Sequence, residues 1–345
     1  MNEKWKERIR NILPKVGFPI FYVVSFFVFA SWTFPYDKLK ERLVAAFNAE
    51  QKASGAQQEL QIDELTSSWV TGVKATGVRL LSLSPEPGKP PIETKIDVAK
   101  GRISLLPLLI GHKDVSFDLE AFGGEIDGSF NDLGKDREVE VELKSVDIGK
   151  VEPLTATLGL PMEGKLSGTV KLLMPEGKAS KASGSIRLEA ADVALGDGKA
   201  KLKGALALPR LVVGTLSFEG DAKEGKLSIT KFAASGKDVD LSGEGRIQMR
   251  ELATESLCDV NVKFKINDAY RNKSDITKSL FGAPGSNAPA LFELADPKVK
   301  QAKRPDGSYA FHVRGLLGRP EFEPQPNAGG AATPSTPASP RGAQQ

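Results

Sequence analysis

The side chains best suited to nucleophilic, acid–base or metal chemistry are few in this sequence. Its 345 residues include one cysteine, Cys258, and two histidines, His112 and His312. One cysteine forms no intrachain disulfide and no cysteine-based metal cluster, and two histidines are too few for a His-rich metal site. Because Cys258 begins an apolar segment, we expect it to be a small buried side chain rather than a nucleophile.

Closely spaced carboxylates and glycines are the remaining candidates for chemistry. Asp238 and Asp240 are two residues apart, which predicts one face of a strand, and such a pair is typical of a solvated surface. A catalytic pair more typically converges from separate elements onto a pocket. The segment LSGEGRIQM contains G-x-G without the third glycine of a nucleotide-binding loop. The sequence therefore predicts no enzyme, no cofactor and no metal.

The charge balance argues against a nucleic-acid partner. The chain has 47 basic and 44 acidic residues, a net charge of +3, which provides no large basic surface for a phosphate backbone. The basic excess is local, because residues 1–15 contain five basic residues and two acidic ones. We predict that residues 1–15 form a basic cytoplasmic stub, since positive residues beside a membrane segment favour the cytoplasmic side.

An uncharged apolar stretch follows, VGFPIFYVVSFFVFASWTF at 16–34. A helix needs roughly 20 apolar residues to cross a bilayer, and aromatic residues favour the headgroup region, as Trp32 and Phe34 would. We predict that 16–34 is a retained transmembrane helix. The alternative is a cleaved signal peptide, because Val28-Phe29-Ala30 is a passable cleavage site after Ala30. Both alternatives export the rest of the chain.

The exported part changes from helical to strand periodicity. The segment PYDKLKERLVAAF has the apolar spacing of an amphipathic helix. Beyond Gln61, alternating apolar residues predict strands, and short helices are expected at 151–161 and 269–282. The fold class is therefore mainly β, with 35–324 forming one β-rich domain with an elongated, mostly antiparallel sheet. The tail 325–345 is rich in Pro, Ala, Gly and Ser, and we expect it to be disordered.

Two of the alternating segments supply the candidate site. Their apolar side chains are Val115, Phe117 and Leu119, and Val260, Val262, Phe264 and Ile266. On a curved sheet with one open face these residues would line an apolar groove able to shield acyl chains. Alternation describes a closed, self-filled β core equally well, and both interpretations stay open at this stage.

The order of segments resembles two related families. An anchor, the helix FPYDKLKERLVAAF and then ISLLPLLIGHKDVSFDLEAFGG resemble the start of AsmA-type periplasmic proteins. The full layout is more similar to the GspN family, which is associated with bacterial type II secretion. The further segments that carry this resemblance are LGLPMEGKLSGTVKL, LSGEGRIQM with CDVNVKFKI, and GSYAFHVRGLLGRPEFEP.

The resemblance implies a single-pass protein of the bacterial inner membrane, with a cytoplasmic N-terminus and a periplasmic domain. It implies a non-enzymatic accessory role beside other type II secretion components, with no catalytic or cofactor residues. The AsmA-like half implies an alternative, an apolar β-groove that binds or transfers phospholipid. The two hypotheses differ in their partners, secretion proteins or lipid, and neither determines the oligomeric state.

Overall fold

The structure is a computed structural model. It describes residues 17–53, 58–68, 71–82, 91–104, 107, 111–152, 159–199, 201–202, 206–285 and 290–325. The predicted basic stub 1–15, the first residue of the predicted anchor, most of 151–161 and nearly all of the predicted tail lie outside these residues.

Fourteen strands form one large, curved, open antiparallel sheet, which confirms a mainly β fold with few helices. Each strand pairs with the next strand of the sheet along the chain, and the first and last strands do not pair with each other. The strands are β1 (Gln58–Ser68), β2 (Gly72–Ser82), β3 (Ile92–Ile103), β4 (Asp114–Ala121), β5 (Gly124–Leu133), β6 (Asp136–Asp147), β7 (Met162–Met174), β8 (Ser183–Leu195), β11 (Leu211–Lys223), β12 (Lys226–Ser235), β13 (Val239–Gln248), β14 (Leu257–Ile266), β15 (Tyr309–Leu316) and β16 (Arg319–Pro324). A separate two-stranded ribbon, β9 (Lys201–Leu202) and β10 (Leu206–Ala207), lies between β8 and β11 in the chain.

The helices lie at the two ends of the chain. They are α1 (Phe18–Thr33), α2 (Tyr36–Ala53), α3 (Asp268–Arg271), α4 (Asp275–Phe281), α5 (Leu291–Ala295) and α6 (Pro297–Ala302). Short 3-10 turns occupy Ile148–Lys150, Pro175–Gly177, Ala179–Lys181 and Ala253–Glu255. The predicted helix at 269–282 is present as α3 and α4, and Ser274 begins α4 with a capping box to Thr277.

The strand register separates an apolar face from a charged face. On one face, Phe117 of β4 lies opposite Gly128 of β5, and Val141 of β6 lies opposite Val170 of β7. A side chain at Gly128 would collide with the Phe117 ring, so the glycine allows the ring to lie across the neighbouring strand. The other face carries cross-strand ion pairs: Lys100–Glu120, Lys144–Asp127, Lys171–Glu140, Arg187–Asp221 and Arg246–Asp259.

The β1 edge is covered by α2. The Asn48 side chain accepts a hydrogen bond from the Leu60 N–H at 2.8 Å and donates one to the Leu60 carbonyl at 3.4 Å. The Lys40 ammonium donates to the carbonyl of Asp63 at 2.9 Å. The N–H and carbonyl of Leu60 and the carbonyl of Asp63 are therefore already bonded and are not free to pair with another strand, and Leu39 packs against the cluster around Leu65.

The β16 edge is closed by proline and by α6. Pro320 and Pro324 have no N–H to offer a further strand. The Phe322 carbonyl between them accepts a hydrogen bond from the Lys298 ammonium of α6 at 3.3 Å. Both edges of the sheet are therefore poor templates for strand addition, the mode of partner binding that an open edge would offer.

Helix α1 has 16 residues, about 24 Å at the rise of an α-helix. Among the described residues, no helix combines the length and hydropathy that a membrane crossing requires. The transmembrane anchor at 16–34 therefore stays a prediction.

The first testable prediction concerns the α2 cover. Replacing Asn48 by alanine leaves the Leu60 N–H without its partner, a loss of about 1 kcal/mol for a neutral hydrogen bond. We expect the Leu60 amide to exchange with deuterium about fivefold faster, measured on the full chain. The control is Glu50→Ala on the exposed side of α2. Unchanged exchange at Leu60 in Asn48→Ala would show that α2 does not protect this edge.

Candidate functional site

The three candidate residues of β4 lie on the uncovered part of the apolar face. Val115, Phe117 and Leu119 are opposite Phe130, Gly128 and Ile126 of β5, and all three are half-buried. They belong to none of the buried clusters, and no described helix forms a packed interface with β3–β6. These positions are therefore a sheet surface rather than the interior of a sandwich.

The four candidate residues of β14 lie on the same face in a different environment. Val260 and Ile266 are buried, whereas Val262 and Phe264 are half-buried. The Phe264 ring stacks on Tyr309, with 5.3 Å between ring centroids, and packs edge-on against Phe292 of α5. Phe264 and Ile266 are therefore part of a core that the C-terminal helices close. The structure places the seven residues on one face but does not bring them into one site.

Apolar side chains connect the two sets across the middle of the sheet. Twelve of them, on β4–β8, are half-buried, lie outside the buried clusters and share the apolar face. We call these twelve residues the open face: Val115, Phe117, Leu119, Ile126, Phe130, Val139, Val141, Leu143, Val170, Leu172, Ile186 and Leu188. No second sheet packs on this surface among the described residues. A β-sandwich buries such a face against a second sheet about 10 Å away. Here no described sheet does so, and the open face is available to a ligand or partner.

An apolar cavity of about 350 Å³ adjoins the open face where the C-terminal helices cover the sheet. Met162, Leu216 and Leu241 line it from the sheet, and Leu280 and Phe292 line it from α4 and α5. All its lining residues are apolar. An entirely apolar lining of this kind favours an apolar occupant over water.

Buried polar groups fix the helices over the cavity. The Glu293 carboxylate of α5, 5% exposed, accepts hydrogen bonds from the Lys303 ammonium at 2.7 Å and the Tyr309 hydroxyl at 2.9 Å. The fully buried Tyr270 of α3 donates its hydroxyl to the Pro209 carbonyl. These bonds tie α5 to β15 of the sheet and α3 to the loop that precedes β11. Their partners are satisfied, so they act as structural clamps.

The carboxylate pair at 238 and 240 differs from the sequence prediction. Asp240 is exposed and accepts a hydrogen bond from Ser235, as a solvated surface predicts. Asp238 precedes β13, is 3% exposed and accepts the Val212 N–H at 2.8 Å. The interpretation of Asp238 as a solvated strand residue was wrong, because the β12–β13 turn folds its carboxylate onto the backbone of β11.

The remaining candidates for chemistry form no reactive cluster. His312 lies on the charged face, with Nε2 at 2.7 Å from the Asp259 carboxylate, and this bond holds the pKa of Asp259 below its usual value, aided by Arg246. His112 lies in a turn against the Asp132 carbonyl. Cys258 is buried, and burial raises the pKa of its thiol, which disfavours the reactive thiolate. Among the described residues no group of side chains could hold a metal ion.

Comparisons with known proteins give no further guide to the site. No family model, no curated protein and no solved structure matches the chain. The resemblance to GspN and AsmA-type proteins therefore stays a prediction from the sequence segments that carry it.

The second prediction is that alkali loosens the helices above the cavity. Burial raises the pKa of Tyr309, aided by its bond to Glu293, and burial also raises the pKa of Tyr270, aided by the charge of Asp238. Above about pH 10 the unfolded chain loses these phenolic protons while the folded chain keeps them. The stability that these two tyrosines contribute is therefore fully present below about pH 10. It falls as the pH rises further, by up to about 1.4 kcal/mol per pH unit for each tyrosine.

The measurement is the free energy of unfolding in urea at pH 9 and pH 11 for the native chain, Tyr309→Phe and Tyr270→Phe. Each variant should lose less stability over this interval than the native chain, whatever its stability at pH 9. Parallel losses in all three proteins would contradict the assignment, since lysine deprotonation affects them equally.

Proposed function

We propose that the protein binds the acyl chains of phospholipid on the open face while α1 holds it at the bacterial inner membrane. The observation that supports this proposal is the open face itself, a half-buried apolar surface on β4–β8 with no described protein layer against it. Monomeric soluble proteins rarely leave large contiguous apolar surfaces exposed to water.

The dimensions of the sheet suit a lipid chain. Fourteen strands at about 4.8 Å spacing give a sheet about 62 Å across, measured along its curve. Strands of 8 to 13 residues, such as β4 and β7, are about 26 to 43 Å long. A methylene group moved from water onto such a surface contributes about 0.8 kcal/mol when fully buried. The apolar cavity beneath α4 and α5 would accept the end of a chain.

The two faces would have separate roles. The charged face is covered by cross-strand ion pairs such as Arg187–Asp221 at 2.7 Å, and it interacts well with water. An apolar ligand would therefore gain contacts on one face only. This asymmetry supports a one-sided groove and gives no support to a sheet embedded between two partners.

The membrane attachment is part of the same proposal. The uncharged segment 16–34 would extend about 28 Å as a continuous helix, close to the roughly 30 Å of a bilayer core. Within its described part the large apolar side chains of α1 are exposed, Trp32 most of all at 86%. Insertion into a membrane would remove this surface from water.

The accessory role in type II secretion rests on the sequence resemblance and stays a prediction. One contact that such a role could use is a partner strand added to an open sheet edge. The covered β1 edge and the proline-bearing β16 edge give this contact little support. A secretion partner would have to bind a face, a rim or a helix instead.

The third prediction tests lipid binding with charges placed on opposite faces of β4. Leu119→Glu puts a carboxylate on the open face, where ionised groups oppose contact with acyl chains. Ser116→Glu puts the same charge on the exposed opposite face of the same strand. Native mass spectrometry of the full chain, purified from bacterial membranes in mild detergent, should show bound phospholipid in the native protein and in Ser116→Glu. We expect at least about a tenfold loss in Leu119→Glu.

Circular dichroism and urea unfolding should show that Leu119→Glu stays folded, because Leu119 lies outside the buried clusters. A lipid-free native protein, or equal lipid in the two charge variants, would overturn the proposal. Phe264 is unsuitable as a test position, because its ring is part of the closed core.

A further inference from the structure

One rim of the sheet concentrates exposed apolar side chains. In an antiparallel sheet of sequential strands, the ends of β3, β5 and β15 and the start of β14 lie on the same rim. This rim, with the loop before β14 and the turn after β15, carries side chains that are 41% to 60% exposed. We call them the leucine rim: Ile103, Leu133, Leu252, Leu257, Leu316 and Leu317.

Among the residues that the structure describes, the strands at the opposite rim carry no equivalent set. There the described exposed large apolar residues, Ile276, Leu291 and Leu294, belong to α4 and α5. Single exposed apolar residues are ordinary on protein surfaces, but six on one rim, four of them gathered at β13–β15 and two at the ends of β3 and β5, indicate an interaction surface.

Helix α1 joins the sheet at the same rim that carries the leucine side chains. Lys40 bonds to Asp63 and Asn48 bonds to Leu60, so α2 runs antiparallel to β1. Helix α2 therefore begins, at Tyr36, beside the end at which β1 finishes, which is the leucine rim. Only Phe34 and Pro35 separate α2 from α1, so the last turn of α1 is close to the same rim.

The open face reaches the leucine rim, whereas the covered part of the apolar face lies away from it. On β7, Leu172 is near the rim and half-buried, and Met162 at the far end lies against the core beneath the helices. On β8, Ile186 near the rim is half-buried and Val193 at the far end is buried. The apolar face is thus uncovered on the side where α1 ends.

We propose that the leucine rim rests in the headgroup region of the same membrane that holds α1. Apolar side chains on a membrane-surface element are buried about 5–10 Å into the boundary between headgroups and acyl chains. This contact would bring the rim end of the open face to the bilayer surface, so that acyl chains pass from membrane to sheet without crossing water. The inference rests on the proposed function for its membrane and its lipid.

The fourth prediction locates the rim by fluorescence quenching in proteoliposomes of the full chain. In a Cys258→Ala background, a bimane label is attached at Leu252→Cys or Leu316→Cys on the rim, or at Lys237→Cys. Lys237 is exposed in the β12–β13 turn of the opposite rim and provides the matched control. Phospholipids brominated in their acyl chains should quench both rim labels at least about twofold more than the Lys237 label, given insertion to this depth.

Each proposal can fail separately. The measurement is repeated in Leu119→Glu, so that brominated lipid bound to the open face does not contribute to the quenching. The rim labels should remain quenched. The double variant Leu252→Glu, Leu317→Glu should abolish quenching of the label at Leu316→Cys. It should leave unchanged the amount of phospholipid bound to the detergent-purified protein. A lipid-free native protein with quenched rim labels would overturn the proposed function and leave the rim contact standing.

Equal quenching at Leu252, Leu316 and Lys237 would overturn the rim contact. Disulfide cross-links between Leu316→Cys residues of two chains, with no quenching by brominated lipid, would also overturn it. That result would assign the rim to a second copy of the chain.

Discussion

The structure depends on one constraint, the alternation of apolar and charged side chains in register across fourteen strands. Adjacent strands keep Phe117 against Gly128 and Val141 against Val170, so one face collects almost all of the apolar surface. A shift of one residue in a single strand would move its apolar side chains into water. Cross-strand ion pairs on the other face, such as Lys171–Glu140 at 2.5 Å, favour the same register.

Bulges preserve this alternation where strict pairing would break it. Leu143 and Val146 are three residues apart in β6, yet they face Gly168 and Leu166 of β7 across a register shift. Ser145 in the bulge has a φ of 53°, and its N–H bonds to the Ser167 hydroxyl at 3.0 Å. A non-glycine residue in this region costs of order 1–3 kcal/mol, and the restored apolar face on both sides of the bulge offsets that cost.

The sequence predicted the faces better than their covering. Alternation placed Val115 and Val260 correctly on strands with one apolar face, because that pattern is local. It did not separate Phe117, which lies on the open face, from Phe264, which packs against Phe292 of α5, since that difference depends on whether α4 and α5 fold over a given strand. The cover of the β1 edge by Asn48 and the burial of Asp238 also depend on contacts between distant segments. Such contacts have no signature in spacing or composition.

The positions of α1, the leucine rim and the open face distinguish two orientations that the sheet could take at the proposed membrane. If the sheet extended away from the bilayer strand by strand, its far end would lie at most about 62 Å out, because the sheet is curved, and the rim would face water along this whole length. If the rim rests on the bilayer instead, the row of strands runs parallel to the membrane. Each acyl chain then reaches the open face directly at the strand ends. The second arrangement buries the leucine rim, which the first leaves in water. Burial of apolar area therefore favours a sheet that takes up lipid along its rim over a sheet that extends away from the membrane.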